Sequence, residues 1–140
     1  MNIVTDQEKL KKQTCPVNPV NPVSKIAAEL FKTMKEYNGQ GLAANQIGYD
    51  LQIFVMKREN YSPICLVNPV ITSRKGNQRG PEGCLSIPGI TKMVTRPYKI
   101  RVKGFNQYFV PVSYSFTGIE SRRACHEIDH LNGKLIIDYE

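Results

Sequence analysis

Apolar residues recur at helical spacing near the start of the chain and in short runs from Leu51 onward. Ile26, Ala27, Leu30, Phe31, Met34 and Tyr37 follow the i, i+3, i+4 rhythm of a helix. Pro22 suits the first turn of that helix and Gly39 supplies a stop. From Leu51 onward, apolar runs at residues 53–56, 64–67, 98–102 and 108–114 are separated by Gly, Pro and Asn, which predicts strands in largely antiparallel order. Thr117-Gly118-Ile119-Glu120 has the form of a capping box, opening a second helix that runs through Leu131 and ends at Asn132-Gly133. A last apolar run, 135–137, predicts a short strand. The V-N-P-V fragments at 17–23 and 67–70 are too short and irregular to indicate repeats. The expected class is α+β, with antiparallel strands packed around a central helix and one amino-terminal helix.

A chain of 140 residues has the size of one domain, here 1–140. Its 19 Lys and Arg against 12 Asp and Glu give +7, which fits either a polyanionic partner or a solvated basic surface. Lys99, Arg101 and Lys103 alternate with Ile100 and Val102, the pattern of a strand's wet face, so charge alone names no nucleic-acid partner. The four cysteines, Cys15, Cys65, Cys84 and Cys125, form no C-x-x-C pair, which excludes a zinc ribbon and a thioredoxin motif. There is no signal-peptide run and no membrane span. The expected compartment is a reducing cytoplasm, where free thiols can serve as thiolate ligands.

The candidate chemistry begins with His126-Glu127-Ile128-Asp129-His130. Two histidines four apart project from one helix face and can hold one metal ion, while Glu127 can shuttle protons to and from bound water. These are the only two histidines in the chain. A catalytic site normally takes a third protein ligand. The extended zinc-protease pattern fails at Ile136, where a third histidine would stand, so the ligand is sought upstream. Cys84, in the turn-like segment Glu82-Gly83-Cys84-Leu85-Ser86, is the best candidate. Cys125 is its rival, but it points about 100° away from His126 around the helix and reads as packing. Cys15 and Cys65 suit core or surface roles. The segment from Gly39 through Gln40, Gly41, Leu42, Ala43, Ala44 and Asn45 to Gln46 has small residues against which a ligand can press, and Gln46 offers an amide donor. It lacks the Lys and Ser/Thr of a phosphate loop.

Together these segments resemble the three signature motifs of the peptide deformylases, G-x-G-x-A-A-x-Q, E-G-C-L-S and H-E-x-D-H, in the same order. Further similarity lies in the 9–17 arm, in Val67-Asn68-Pro69 and in the closing run 131–139. The resemblance implies a central metal-binding helix carrying one divalent ion on Cys84, His126 and His130. Ferrous iron is the usual native ion, with zinc, nickel or cobalt as substitutes. It implies removal of the formyl group from formylmethionyl nascent peptides, with Glu127 as general base and then acid. Gln46 and the Leu85 backbone N–H would stabilise the oxyanion. Gly39, Gln40, Gly41, Leu42, Glu82, Gly83, Ile119 and Arg123 are the expected substrate-binding residues, and Asp129 is expected to buttress the site.

The sequence departs from that family at Gln40, where an apolar residue is usual, at Thr91, where many bacterial members carry arginine, and at Arg123, where a small or apolar residue lines the methionine pocket. These positions bear on substrate preference, and another small amide remains an alternative substrate. The chain resembles a short form without the carboxy-terminal extension, of bacterial or viral origin. Any transient ribosome contact would then use the basic surface. A monomer with neither a specific nucleic acid nor a membrane partner is expected, and a non-catalytic basic module is the competing reading.

Overall fold

The computed structural model describes residues 2–139, so both ends of the expected 1–140 unit lie outside the described residues. The elements run α1 (Gln7–Leu10), α2 (Val23–Glu36), β1 (Gly41–Ala43), β2 (Ile53–Met56), β3 (Ile64–Lys75), β4 (Gln78–Cys84), β5 (Ile87–Arg96), β6 (Lys99–Phe105), β7 (Pro111–Thr117) and α3 (Ile119–Leu131). Short 3-10 turns follow β1 at Ala44–Ile47 and close the chain at Ile136–Asp138.

Five antiparallel strands form one sheet in the order β1-β2-β3-β6-β7, and β4 and β5 form a separate antiparallel ribbon. Alternation along β2 explains why all four of its residues are buried. Ile53 and Val55 join Ile26, Leu30 and Met34 of α2 in one core cluster, while Phe54 and Met56 join Ala124, Ile128 and Leu131 of α3 in another. The sheet is therefore sandwiched between the two helices, and α3 packs on β1, β2 and β7. Lys99, Arg101 and Lys103 are exposed, while Ile100 and Val102 are fully buried, as the alternation required. Cys65 and Cys125 are buried in the two clusters, and Cys15 is exposed.

Two expectations need correction, and two features were not foreseen. The capping box does not form: Gly118 caps α3 without a side-chain bond, and the Glu120 carboxylate goes instead to Arg58 Nε at 2.7 Å, Arg58 Nη2 at 3.1 Å and the Glu59 N–H at 3.1 Å. A bidentate, charge-assisted pair outcompetes one backbone N–H. The run 135–137 is not a strand, because the Asp138 carboxylate accepts the Leu135 N–H at 2.8 Å and closes a 3-10 turn. The amino-terminal helix has a short companion, α1, capped by Asp6 through the Glu8 N–H. Strands β4 and β5 were not foreseen, since their residues are mostly wet or half-buried and carry glycine and proline.

Candidate active site

One face of α3 lines a cavity of about 1020 Å³ with Ile119, Arg122, Arg123, His126 and Glu127. Their spacing, i, i+3, i+4, i+7, i+8, is that of a single helical stripe. The turn into β1 (Gly39, Gln40, Gly41) forms a second wall, and the end of β4 with the following turn (Glu82, Gly83, Cys84, Leu85) a third. Thr91 of β5 also lines it.

The three expected metal ligands converge. His130 Nε2 lies 3.2 Å from His126 Nε2 and 3.3 Å from Cys84 Sγ, and the three ligand atoms all fall within 4.8 Å of one another. A tetrahedral ion with roughly 2.1 Å bonds to nitrogen and 2.3 Å to sulfur needs separations of about 3.4–3.6 Å, so the donor set fits a single ion with small adjustment. Cys125 is turned into the α3-side core and is not part of the cluster.

His126 is aimed by Glu82, whose Oε1 accepts from Nδ1 at 2.9 Å and leaves Nε2 for the centre. Burial would raise the Glu82 pKa, but hydrogen bonds and charge from Arg96 and His126 outweigh it and hold the carboxyl at about 2. Burial and the neighbouring His126 push the His130 pKa well below its ordinary value. His126 moves the other way: burial opposes its protonation, but bonds to Cys84 and Glu82 prevail and push it up to about 10.

Glu127 is buried, which pushes its carboxyl up to about 7, close to the poise of a proton shuttle. Its Oε1 has no hydrogen-bond partner among the described residues. Gly41 passes so close that a Cβ there would lie 2.6 Å from Glu127 Oε2. Gln46, in the 3-10 turn after β1, accepts the Ala43 N–H on Oε1 at 2.9 Å, which turns Nε2 toward Ser86 Oγ at 3.1 Å and Cys84 Sγ at 3.7 Å. Leu85 stands in the two-residue turn between β4 and β5.

Of the expected substrate-binding residues, Gly39, Gln40, Gly41, Glu82, Gly83, Ile119 and Arg123 border the cavity. Leu42 does not: its side chain is fully buried on the α2 side, because alternation along β1 turns it away. The Glu82 side chain is occupied by His126, Arg96 and Arg122, which leaves its backbone to face the cleft. Arg123 is also tethered, through Nη2 to Gln40 Oε1 at 2.8 Å and Nη1 to the Lys57 carbonyl at 3.2 Å.

Sequence reasoning missed Arg96, Arg122, Ser86 and Tyr139. Arg96 is 3 % exposed, grips both oxygens of Glu82 at 2.8 and 2.9 Å, and also binds Asp129 at 2.5 Å and the Tyr139 hydroxyl at 2.8 Å. Tyr139 donates in turn to Asp129 at 2.5 Å. Asp129 therefore bears on His126 through Arg96 and Glu82. No local motif marks Arg96, whose partners lie 14, 33 and 43 residues away.

Comparison with known proteins agrees with this geometry. The family model described as polypeptide deformylase matches residues 1–139. A peptide deformylase of Lachnoclostridium phytofermentans is 38% identical over 132 residues, covering 92% of this chain and 81% of that protein. The crystal structure of a peptide deformylase from Legionella pneumophila superposes with a TM-score of 0.93 at 34% identity, covering 100% of this chain and 85% of the other. The deformylase of Vibrio parahaemolyticus bacteriophage VP16T, solved with actinonin, gives 0.92 at 33% identity, covering 97% of this chain and 100% of the other.

Proposed function

The chain belongs to the peptide deformylase family and is a hydrolase that removes the N-formyl group from nascent peptides; from that premise, we propose that Cys84, His126 and His130 hold its divalent ion and that Glu127 moves the protons. The observation that carries this assignment is the convergence of three ligand atoms beside a buried carboxyl poised near 7.

A divalent ion held by Cys84, His126 and His130 would supply Lewis acidity and lower the pKa of a water molecule enough to make it nucleophilic near neutral pH. Glu127 takes a proton from the attacking water and delivers it to the amide nitrogen as the C–N bond breaks; the second water proton then passes from the new carboxyl group to the amine, leaving formate and the ammonium form of the free amino terminus. Negative charge developing on the formyl oxygen is met by Gln46 Nε2, already fixed by its Oε1 bond to Ala43, and by the Leu85 N–H. The substrate main chain adds as a strand along β1, the edge of the five-stranded sheet, with residues 82–85 opposite. Glu82, Arg96, Asp129 and Tyr139 keep the His126 ring aimed.

Ferrous iron is the proposed native ion; the thiolate-imidazole set also suits zinc, nickel or cobalt. The proposed setting is a bacterial cytoplasm, with 1–140 as one catalytic domain acting as a monomer. Four free cysteines agree with a reducing compartment, and no described helix is long and apolar enough to cross a membrane. The exposed Lys99, Arg101 and Lys103 offer a basic face for transient ribosome contact. Two variants test the site assignment. Glu127→Ala should keep stoichiometric metal and lose turnover, whereas Cys84→Ala should lose metal. Full turnover by both would refute it.

A further inference from the structure

We infer that the uncovered face of the five-stranded sheet, carried by β3, β6 and β7, is a docking surface for the phosphate backbone of duplex RNA, bound without regard to sequence. The inference deepens the transient ribosome contact proposed above, resting on that reading only for where such RNA is met, and it names the residues and the chemistry of the contact.

Charge alone names no partner, but strand register adds an arrangement. On one side of the sheet α2 packs on β1 and β2, and Val67 of β3 and Phe105 of β6 complete that contact. Beyond this pair the same face continues bare. Residues in register share a face, so Lys75 of β3 stands beside Lys99 of β6, Ser73 beside Arg101, and Val70 beside Lys103. On the other flank of β6, Thr117, Ser115 and Ser113 of β7 stand beside the same three cations. All of these side chains are exposed. The three cations of β6 recur about every 6.8 Å, two residues of an extended strand. Among the described residues no carboxylate pairs with Lys75, Lys99, Arg101 or Lys103, and none of the 12 Asp and Glu falls within β3, β6 or β7.

A merely solvated face intersperses both signs, whereas Lys75 beside Lys99 places like charges where a sheet disfavours them. The face is complementary to a row of phosphates. Its cations release counterions as they neutralise phosphate charge, and the flanking Ser and Thr hydroxyls donate to phosphate oxygens. These rows hold no aromatic ring on which an unpaired base could stack, which favours a duplex over a single strand. Val70 is their one apolar residue, too little to anchor in a membrane interface. The enzyme's substrates are nascent peptides, which are made on an RNA-rich particle. None of the four cations lines the active-site cavity, so docking here leaves the cleft free.

The test measures binding of a fluorescein-labelled RNA duplex to the metal-loaded, full-length protein by anisotropy across a salt series. Four phosphate contacts predict a slope of log K against log salt of about −3.6 and a loss of roughly 100-fold between 50 and 200 mM salt. Combining Lys99→Gln, Arg101→Gln and Lys103→Gln should cut the slope to about −1 and weaken binding at low salt by at least roughly tenfold. Combining Lys12→Gln, Lys32→Gln and Lys35→Gln removes the same charge from exposed positions elsewhere and should leave the slope unchanged. Formate release from formyl-Met-Ala-Ser should stay within about twofold of wild type in both variants, which also reports that each is folded. Absence of duplex binding by wild type at low salt, equal losses in the two variants, or preference for phosphatidylserine vesicles over the duplex overturns the inference. If wild type binds the duplex with the predicted slope but does not co-sediment with ribosomes, the inference stands and the ribosome reading falls. If wild type and the β6 variant co-sediment with ribosomes equally, the ribosome reading stands and the inference falls.

Discussion

The tightest geometric demand in the site falls on Gly41, and replacing it with alanine probes the position of the general base without touching its chemistry. A Cβ built on Gly41 lies 2.6 Å from Glu127 Oε2 and 3.0 Å from both Cδ and Cγ, whereas ordinary Cβ contacts begin at 3.4 Å. The carboxylate must therefore retreat by 3.4 − 2.6 = 0.8 Å. Because Cγ is also too close, rotation of the carboxylate tip alone cannot relieve the clash. Misplacing a catalytic group by about 1 Å costs on the order of 100-fold in rate. The backbone of Gly41 lies outside the left-handed region, so alanine fits it, and stiffening the unfolded chain returns about 0.4–1 kcal/mol that partly offsets the clash. Gly41→Ala should consequently keep its metal and nearly all its stability while kcat falls about 100-fold. Gly39→Ala is the control: its one tight contact is with the flexible end of Leu85, Cδ1 at 3.0 Å, the others being ordinary at 3.6 and 3.7 Å, and the loss should stay below roughly tenfold. Metal analysis, thermal melts and formate release measured on the same preparations separate these effects. Undiminished kcat in metal-loaded Gly41→Ala would refute the placement of Glu127 as the proton shuttle.

Arg96→Met strips the cation from Glu82 and Asp129 together; denaturant unfolding should show a loss of about 3–5 kcal/mol, and metal affinity should fall about 10- to 100-fold as His126 loses its brace. The Arg58–Glu120 pair that replaced the expected capping box should make stability acid-sensitive. The Arg58 hydrogen bond holds the Glu120 carboxyl below its ordinary pKa in the folded protein. Its contribution is thus fully present above the ordinary carboxyl value and is lost as pH falls through the depressed one. Melting curves should show the gap between wild type and Glu120→Gln closing as pH falls below about 5, and a gap that stays constant would contradict the pairing.

Much of the site was legible because it lies on regular elements with local spacing. Periodicity marked α2, a capping-box pattern that does not form marked the start of α3, and the i, i+4 histidines of α3 could share a ligand only by sharing a face. Cys84 was legible by its glycine-rich turn, although the ribbon that carries it was not. Residues such as Gln78, Arg79 and Glu82 carry no apolar alternation, and β4 and β5 are set by pairing with each other and by the buried arginine network. At Leu42 a strand turns the side chain into the α2-side core, so only its backbone in β1 is left for a substrate strand to meet. Arg96 was invisible because its partners are 14 to 43 residues away in sequence, and the Glu120 partner Arg58 is 62 residues away.

The most direct test of the central claim is formate release from formyl-Met-Ala-Ser by the anaerobically prepared ferrous protein, assayed with the metal content of the same sample. One ion per chain, turnover that disappears in Glu127→Ala with that ion retained, and loss of the ion in Cys84→Ala are the predicted results. Folded protein that carries one ion on Cys84, His126 and His130 and releases no formate would contradict the account.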